Sequence, residues 1–123
     1  MESIQRDVLL GFYKWQLLIK SFHFVTKYNV RHEAAGKYLD NFMEDYDKFM
    51  EVCMGHHGQM SMDNEYTIKI GIVNDDTIFY HIDKFGEFLN NLREPYEKHS
   101  DLLNILDEMV ANLNRLVYLL KLK

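Results

Sequence analysis

The stretch HFVTKYNVRHEAAGKYLDNFMEDYDKFMEVCMG, His23–Gly55, decides the fold, because it reads as a short break followed by a long helix that carries polar groups along its seam. Wound at about 100° per residue, His32, Gly36, Leu39, Met43, Met50 and Met54 fall within roughly 40° of one line, with Asp47 about 40° to its side. An acid is set into a methionine stripe. Glu51 follows one turn later, and Glu33, Asp40 and Glu44 complete a ridge of carboxylates. Tyr38, Phe42, Phe49 and Cys53 occupy the other side. The apolar arc is wider than one bundle core requires, which predicts that part of this helix faces a second subunit.

Before this stretch, Leu9, Phe12, Trp15, Ile19, Phe22 and Val25 recur at helical spacing and predict a first helix from Ser3, its candidate cap, to about Tyr28. The break Tyr28-Asn29-Val30 is short, so a second helix from Arg31 to Met54, closing at Gly55, returns antiparallel to the first. Residues 55–64, GHHGQMSMDN, read as loop. In Glu65–Val73 the apolar residues Tyr66, Ile68, Ile70 and Ile72 alternate with Thr67, Lys69 and Gly71, the period of a half-buried strand. A single strand has no partner here. It is either an extended crossover packed across the bundle or an edge that pairs with a copy of itself from another subunit.

Asn74-Asp75-Asp76 supplies a third helix start, and Ile78, Ile82, Phe85, Leu89 and Leu92 carry its stripe until Pro95 stops it. Ser100 is placed to cap a fourth helix, whose Leu102, Ile105, Leu106, Met109, Leu113, Leu116 and Leu120 form the clearest amphipathic pattern. Hairpin, long crossover, hairpin predicts an all-α, ferritin-like four-helix bundle, one domain over residues 1–123.

Composition narrows the function classes. An apolar fraction of 47% with 14% aromatics supports a well-filled core. Nineteen acids against 14 Lys and Arg leave a net charge of -5, so DNA binding is not expected. The lone Cys53 cannot form an internal disulfide, and the N-terminus lacks a basic region leading into an apolar run. A cytoplasmic protein that does not enter a membrane is the expectation.

His32 and Asp47 are fifteen residues apart, which at a helical rise of about 1.5 Å per residue separates them by roughly 22 Å. They cannot hold one ion within a chain. Two copies packing their second helices antiparallel about a two-fold axis would bring His32 of one beside Asp47 and Glu51 of the other. His23, just across the turn, can add a second imidazole. Two imidazoles and two carboxylates suit iron or another divalent first-row metal.

These residues resemble the Dps-like miniferritins of the ferritin-like superfamily. His23, His32, Asp47 and Glu51, with the spacing His32-x14-Asp47-x3-Glu51, match that family's ligand pattern, and the ending NILDEMVANLNRLVYLLKLK is similar to that of short Dps-like proteins of phages and large viruses. The resemblance implies a ferroxidase that oxidises Fe(II) with peroxide or oxygen at inter-subunit, di-iron-type sites. It also implies a two-fold dimer, a closed cage, iron storage or protection from oxidative stress, and the host cytoplasm as location if the chain is viral. The chain departs from the pattern in a shorter interval between the histidines, in Phe24 where a tryptophan is usual, in Gly36 at a position often acidic, and in lacking a basic N-terminal tail. No Glu-x-x-His pair is present for an intrachain di-iron site.

Simpler roles stand beside these. His23 can be a helix C-terminal histidine favoured by the dipole, His32 an interface residue, and Asp47 with Glu51 a solvated acidic face. His56 and His57 fit an exposed loop, Met43, Met50 and Met54 fit packing, and Cys53 fits the core. The alternative function is then a metal-free structural or interaction protein. A third is an adaptor that binds a host or virion protein through the segment around Ile68–Ile72.

Overall fold

The structure, a computed structural model, describes residues 2–122. Four helices follow one another: α1 (Glu2–Val25), α2 (Asn29–His57), α3 (Ile78–Asn91) and α4 (Ser100–Leu120). Both α1 and α4 pack against α2 and against α3. The crossover, residues 58–77, leaves the end where α1 begins, as the Ser61 amide donating to Glu2 Oε1 (3.0 Å) shows. It reaches the opposite end, where Asp75 accepts from Thr26 and Lys27. Hence α2 and α3 run parallel, and the chain forms a four-helix bundle of two hairpins joined by one overhand connection.

The seam residues read from periodicity line the core. Phe12, Trp15, Ile19 and Phe22 of α1, Phe42 and Phe49 of α2, Ile78 and Leu89 of α3, and Leu102, Leu106 and Met109 of α4 are almost wholly excluded from solvent. Trp15 ties three helices together: its ring stacks on Phe85 at 4.7 Å, and its Nε1–H donates to Tyr38 Oη at 2.7 Å. That bond satisfies a buried indole donor which would otherwise weaken the core. Gly11 lets α3 come close, since a Cβ there would lie 2.3 Å from the Phe88 ring.

Several boundaries differ from the expectations. Ser3 lies inside α1 rather than capping it, and Ser100 is the first residue of α4, after His99. The break between α1 and α2 falls at residues 26–28, so Asn29 and Val30 are already helical. Gly55 does not end α2. The helix runs on to His57 and stops at Gly58, whose φ of 90° lies in the region glycine favours and whose N–H returns to Met54 O at 2.8 Å.

The alternation in residues 65–73 is real but makes no strand. Tyr66, Ile68 and Ile70 are half-buried and Thr67 and Lys69 exposed, yet no β-ladder forms among the described residues. Within the single chain the segment lies packed against the bundle. Gly71, with a φ of 76°, breaks the pattern and leaves Ile72 74% exposed. No helix among the described residues is long and apolar enough to cross a membrane.

Asp75 does not start α3 but clamps the far end of the bundle. Its carboxylate accepts from Thr26 Oγ1 (2.6 Å), the Lys27 amide (2.9 Å) and the Arg31 guanidinium (3.0 Å), while Arg31 Nε donates to Leu120 O (3.2 Å). Burial opposes its ionisation, but these donors outweigh it and hold the carboxyl below the ordinary range. The stability it contributes is therefore present above the ordinary value of 3.8 and is lost as pH falls through the depressed folded value. Asp75→Ala is expected to lower the unfolding free energy by about 1–3 kcal/mol at neutral pH, with the deficit narrowing in acid, as urea denaturation at several pH values will measure.

Candidate metal centre

His23 lies in the last turn of α1 and His32 in the first turn of α2, and the three-residue turn sets them face to face. Their rings stack with centroids 3.9 Å apart and planes 17° from parallel. Each Nδ1 lies 2.7 Å from the other residue's backbone carbonyl oxygen. A carbonyl can only accept, so in the neutral imidazoles both Nδ1 atoms carry the proton and both Nε2 atoms keep a lone pair. An imidazole that donates Nδ1–H to a backbone carbonyl is in the tautomer and orientation that a ligating histidine needs. Neither Nε2 has a protein partner among the described residues.

Gly36 is explained by this pair. A Cβ at that position would lie 3.1 Å from His23 Cε1, tighter than ordinary contact, so the missing side chain makes room for the His23 ring. Phe24, beside His23, is 70% exposed, with Lys20 Nζ 5.0 Å above its ring.

Asp47 and Glu51 are one turn apart and exposed. The Glu51 carboxyl is pushed above its ordinary range because Asp47 hydrogen-bonds to it and repels its charge. A cation placed between the two carboxylates would relieve that repulsion. His32, Gly36, Asp40, Met43, Asp47 and Glu51 lie along one solvent-facing ridge of α2, while Leu39 and Met50 turn inward. Met43 is therefore surface rather than packing, and Met54 is half-buried against the core.

The structure brings together His23 with His32 and Asp47 with Glu51, but not one pair with the other. Among the described residues no group of three or more His, Cys, Asp or Glu side chains is placed to hold a metal ion within the chain. As two separate pairs, these residues offer an ion two donors at most from one copy.

A second group of histidines closes the opposite end of the bundle. His56 and His57 are not in a loop but in the last turn of α2, against His99 before α4. The His56 ring stacks on His99 at 4.0 Å, and its Nε2 meets Asp101 Oδ2 at 2.9 Å. The His57 ring lies 5.1 Å from His99 and 6.2 Å from Tyr96, and its Nε2 is sealed from solvent without a partner. His99 and Asp101 carry no sequence signal linking them to His56, because they meet only through the antiparallel packing of α2 and α4. Cys53, in the core as expected, places its Sγ 3.5 Å from Tyr96 Oη.

Burial first, then His99 and His56, push the His57 imidazole below its ordinary value of 6.5. The folded chain thus favours neutral His57, while the unfolded chain takes up the proton below that value. Stability should be undiminished above about pH 6.5 and fall as the pH drops from there towards the depressed folded value, and His57→Gln should flatten that slope in urea denaturation.

No curated protein and no solved structure matches the chain. Residues 23–120, a span that opens at His23 and takes in His32, Asp47 and Glu51, match the Family of unknown function (DUF5856), and the chain belongs to that family.

Proposed function

We propose that the chain is a Dps-like ferroxidase acting as a symmetric pair, in which Fe(II) is the substrate. His23 and His32 of one copy bind it together with Asp47 and Glu51 of a second copy. The observation that carries this is the reciprocal tie between the histidines: each Nδ1–H is held by the other's carbonyl, which fixes both rings and leaves both Nε2 lone pairs available. Raised protonation at Glu51 supports it, since two exposed carboxyls one turn apart gain from an intervening cation. The mixed imidazole and carboxylate donor set fits iron, and other divalent first-row metals share that preference.

In this reaction each Fe(II) gives up one electron, and a peroxide that takes two electrons and two protons leaves as two waters. The protein binds the metal and fixes the imidazoles before it arrives. Iron carries the redox chemistry. Iron storage, a closed cage and a cytoplasmic setting belong to the same proposal.

A metal-free structural or interaction role is the second reading. It is favoured by the separation of the two pairs, which leaves fewer than three candidate ligands together in one chain. Metal analysis and Fe(II) oxidation assays decide between the two. The ferroxidase should bind Fe(II) and oxidise it, with His32→Ala and Asp47→Ala each cutting the rate about tenfold or more. Gly36→Ala adds a good helix former, by about 1 kcal/mol, yet crowds His23, so it should leave thermal stability unchanged or higher while weakening Fe(II) binding. Unchanged oxidation in His32→Ala and Asp47→Ala, or no bound iron in the wild type, would exclude the ferroxidase.

A further inference from the structure

The crossover does more than connect two hairpins. As it runs along the groove between α1 and α3, it closes one side of a cleft of ≈ 450 Å³. The wall it forms is pinned: His81 Nε2 on α3 lies 2.7 Å from Ile72 O, to which it can only donate, and Thr77 Oγ1 donates to the same carbonyl at 2.8 Å. Gly71, with its φ of 76°, turns the backbone there. Trp15 and Leu18 from α1, Ile70 from the crossover and Phe85 and Phe88 from α3 supply an apolar lining.

The charge lining this cleft runs against the balance of the chain as a whole. The chain carries 19 acids against 14 Lys and Arg, yet no Asp or Glu lines the cleft. Lys14, Lys69 and Lys84 do, one from each of its three walls. Lys84 lies 3.6 Å from Glu87 and 5.6 Å from the Tyr80 ring, whereas Lys14 and Lys69 make no ion pair among the described residues. Three lysines around an apolar floor, two of them without a carboxylate partner among the described residues, give the cleft a positive balance that an anion would answer. The volume lies within the range of small-molecule sites, and at about 30 Å³ per water-sized unit it holds on the order of fifteen non-hydrogen atoms.

We propose that this cleft binds a small amphipathic organic anion, its apolar body on the Trp15–Phe85 side and its carboxylate or phosphate head among Lys14, Lys69 and Lys84. The site is separate from the ridge of α2, so it stands or falls independently of iron binding. It would let the bundle carry or respond to an organic acid.

Trp15 is the single tryptophan of the chain and lines the cleft, so its emission reports occupancy directly. The test titrates full-length protein, below the micelle threshold of each probe, with dodecanoate, naphthalene-2-carboxylate, dodecanol, dodecyltrimethylammonium and inorganic phosphate. Saturable one-to-one binding of either organic acid, about tenfold or more tighter than dodecanol, is expected, with the ratio of the two acids assigning a linear or a flat body. Lys69→Glu and Lys14→Glu, both exposed positions, should each weaken that binding about tenfold with the circular dichroism spectrum unchanged. Failure of both acids to bind, equal binding of the cationic amphiphile, phosphate binding as tightly as the acids, or indifference to both lysine variants would overturn the proposal.

Discussion

The three-residue turn between α1 and α2 is the constraint on which the rest depends. It is too short to let the helices diverge, and Asp75 anchors it from the other hairpin through Thr26, Lys27 and Arg31. One carboxylate thereby joins the end of α1, the start of α2 and the end of the crossover, and Arg31 extends the tie to the last turn of α4. Because the turn is fixed, His23 and His32 meet closely enough for each ring to bond the other's backbone. The local geometry of the candidate centre is thus a consequence of how the bundle is closed.

The two ends of the bundle use histidine differently. At the turn end both imidazoles are held by carbonyls and present unshared nitrogens. At the other end His57 has a sealed nitrogen with no partner, and His56 is turned to Asp101. The first arrangement is organised before any ligand arrives. The second makes the packing of α2 against α4 sensitive to protonation, since a charge on His57 would be buried beside His99 and His56.

Most of the bundle was legible because a buried stripe at helical spacing has few other uses, and Phe12, Trp15, Phe22, Leu102 and Leu106 all face the core. The ends were less so. Gly55 looks like a helix stop, but nothing crowds it and the helix has favourable contacts to make beyond it, where His56 stacks on His99. Tyr66 to Ile70 alternate because one side lies against the bundle, which periodicity alone cannot tell from a paired strand. Within the site, spacing showed that His32 and Asp47 are too distant to share an ion in one chain. The carbonyl ties of the histidines and the reason for Gly36 depend on the turn's three-dimensional path, which no local pattern encodes.

The central claim is that the two pairs act only across a two-fold contact between copies. Its most direct measurement mixes His32→Ala chains with Asp47→Ala chains, each strongly impaired alone, verifies mixed pairs by native mass spectrometry and follows Fe(II) oxidation. A mixed pair holds one site with both defects and one with none, so random exchange at equal amounts should restore about a quarter of wild-type activity. Mixed pairs that form and show no recovery would contradict a shared site.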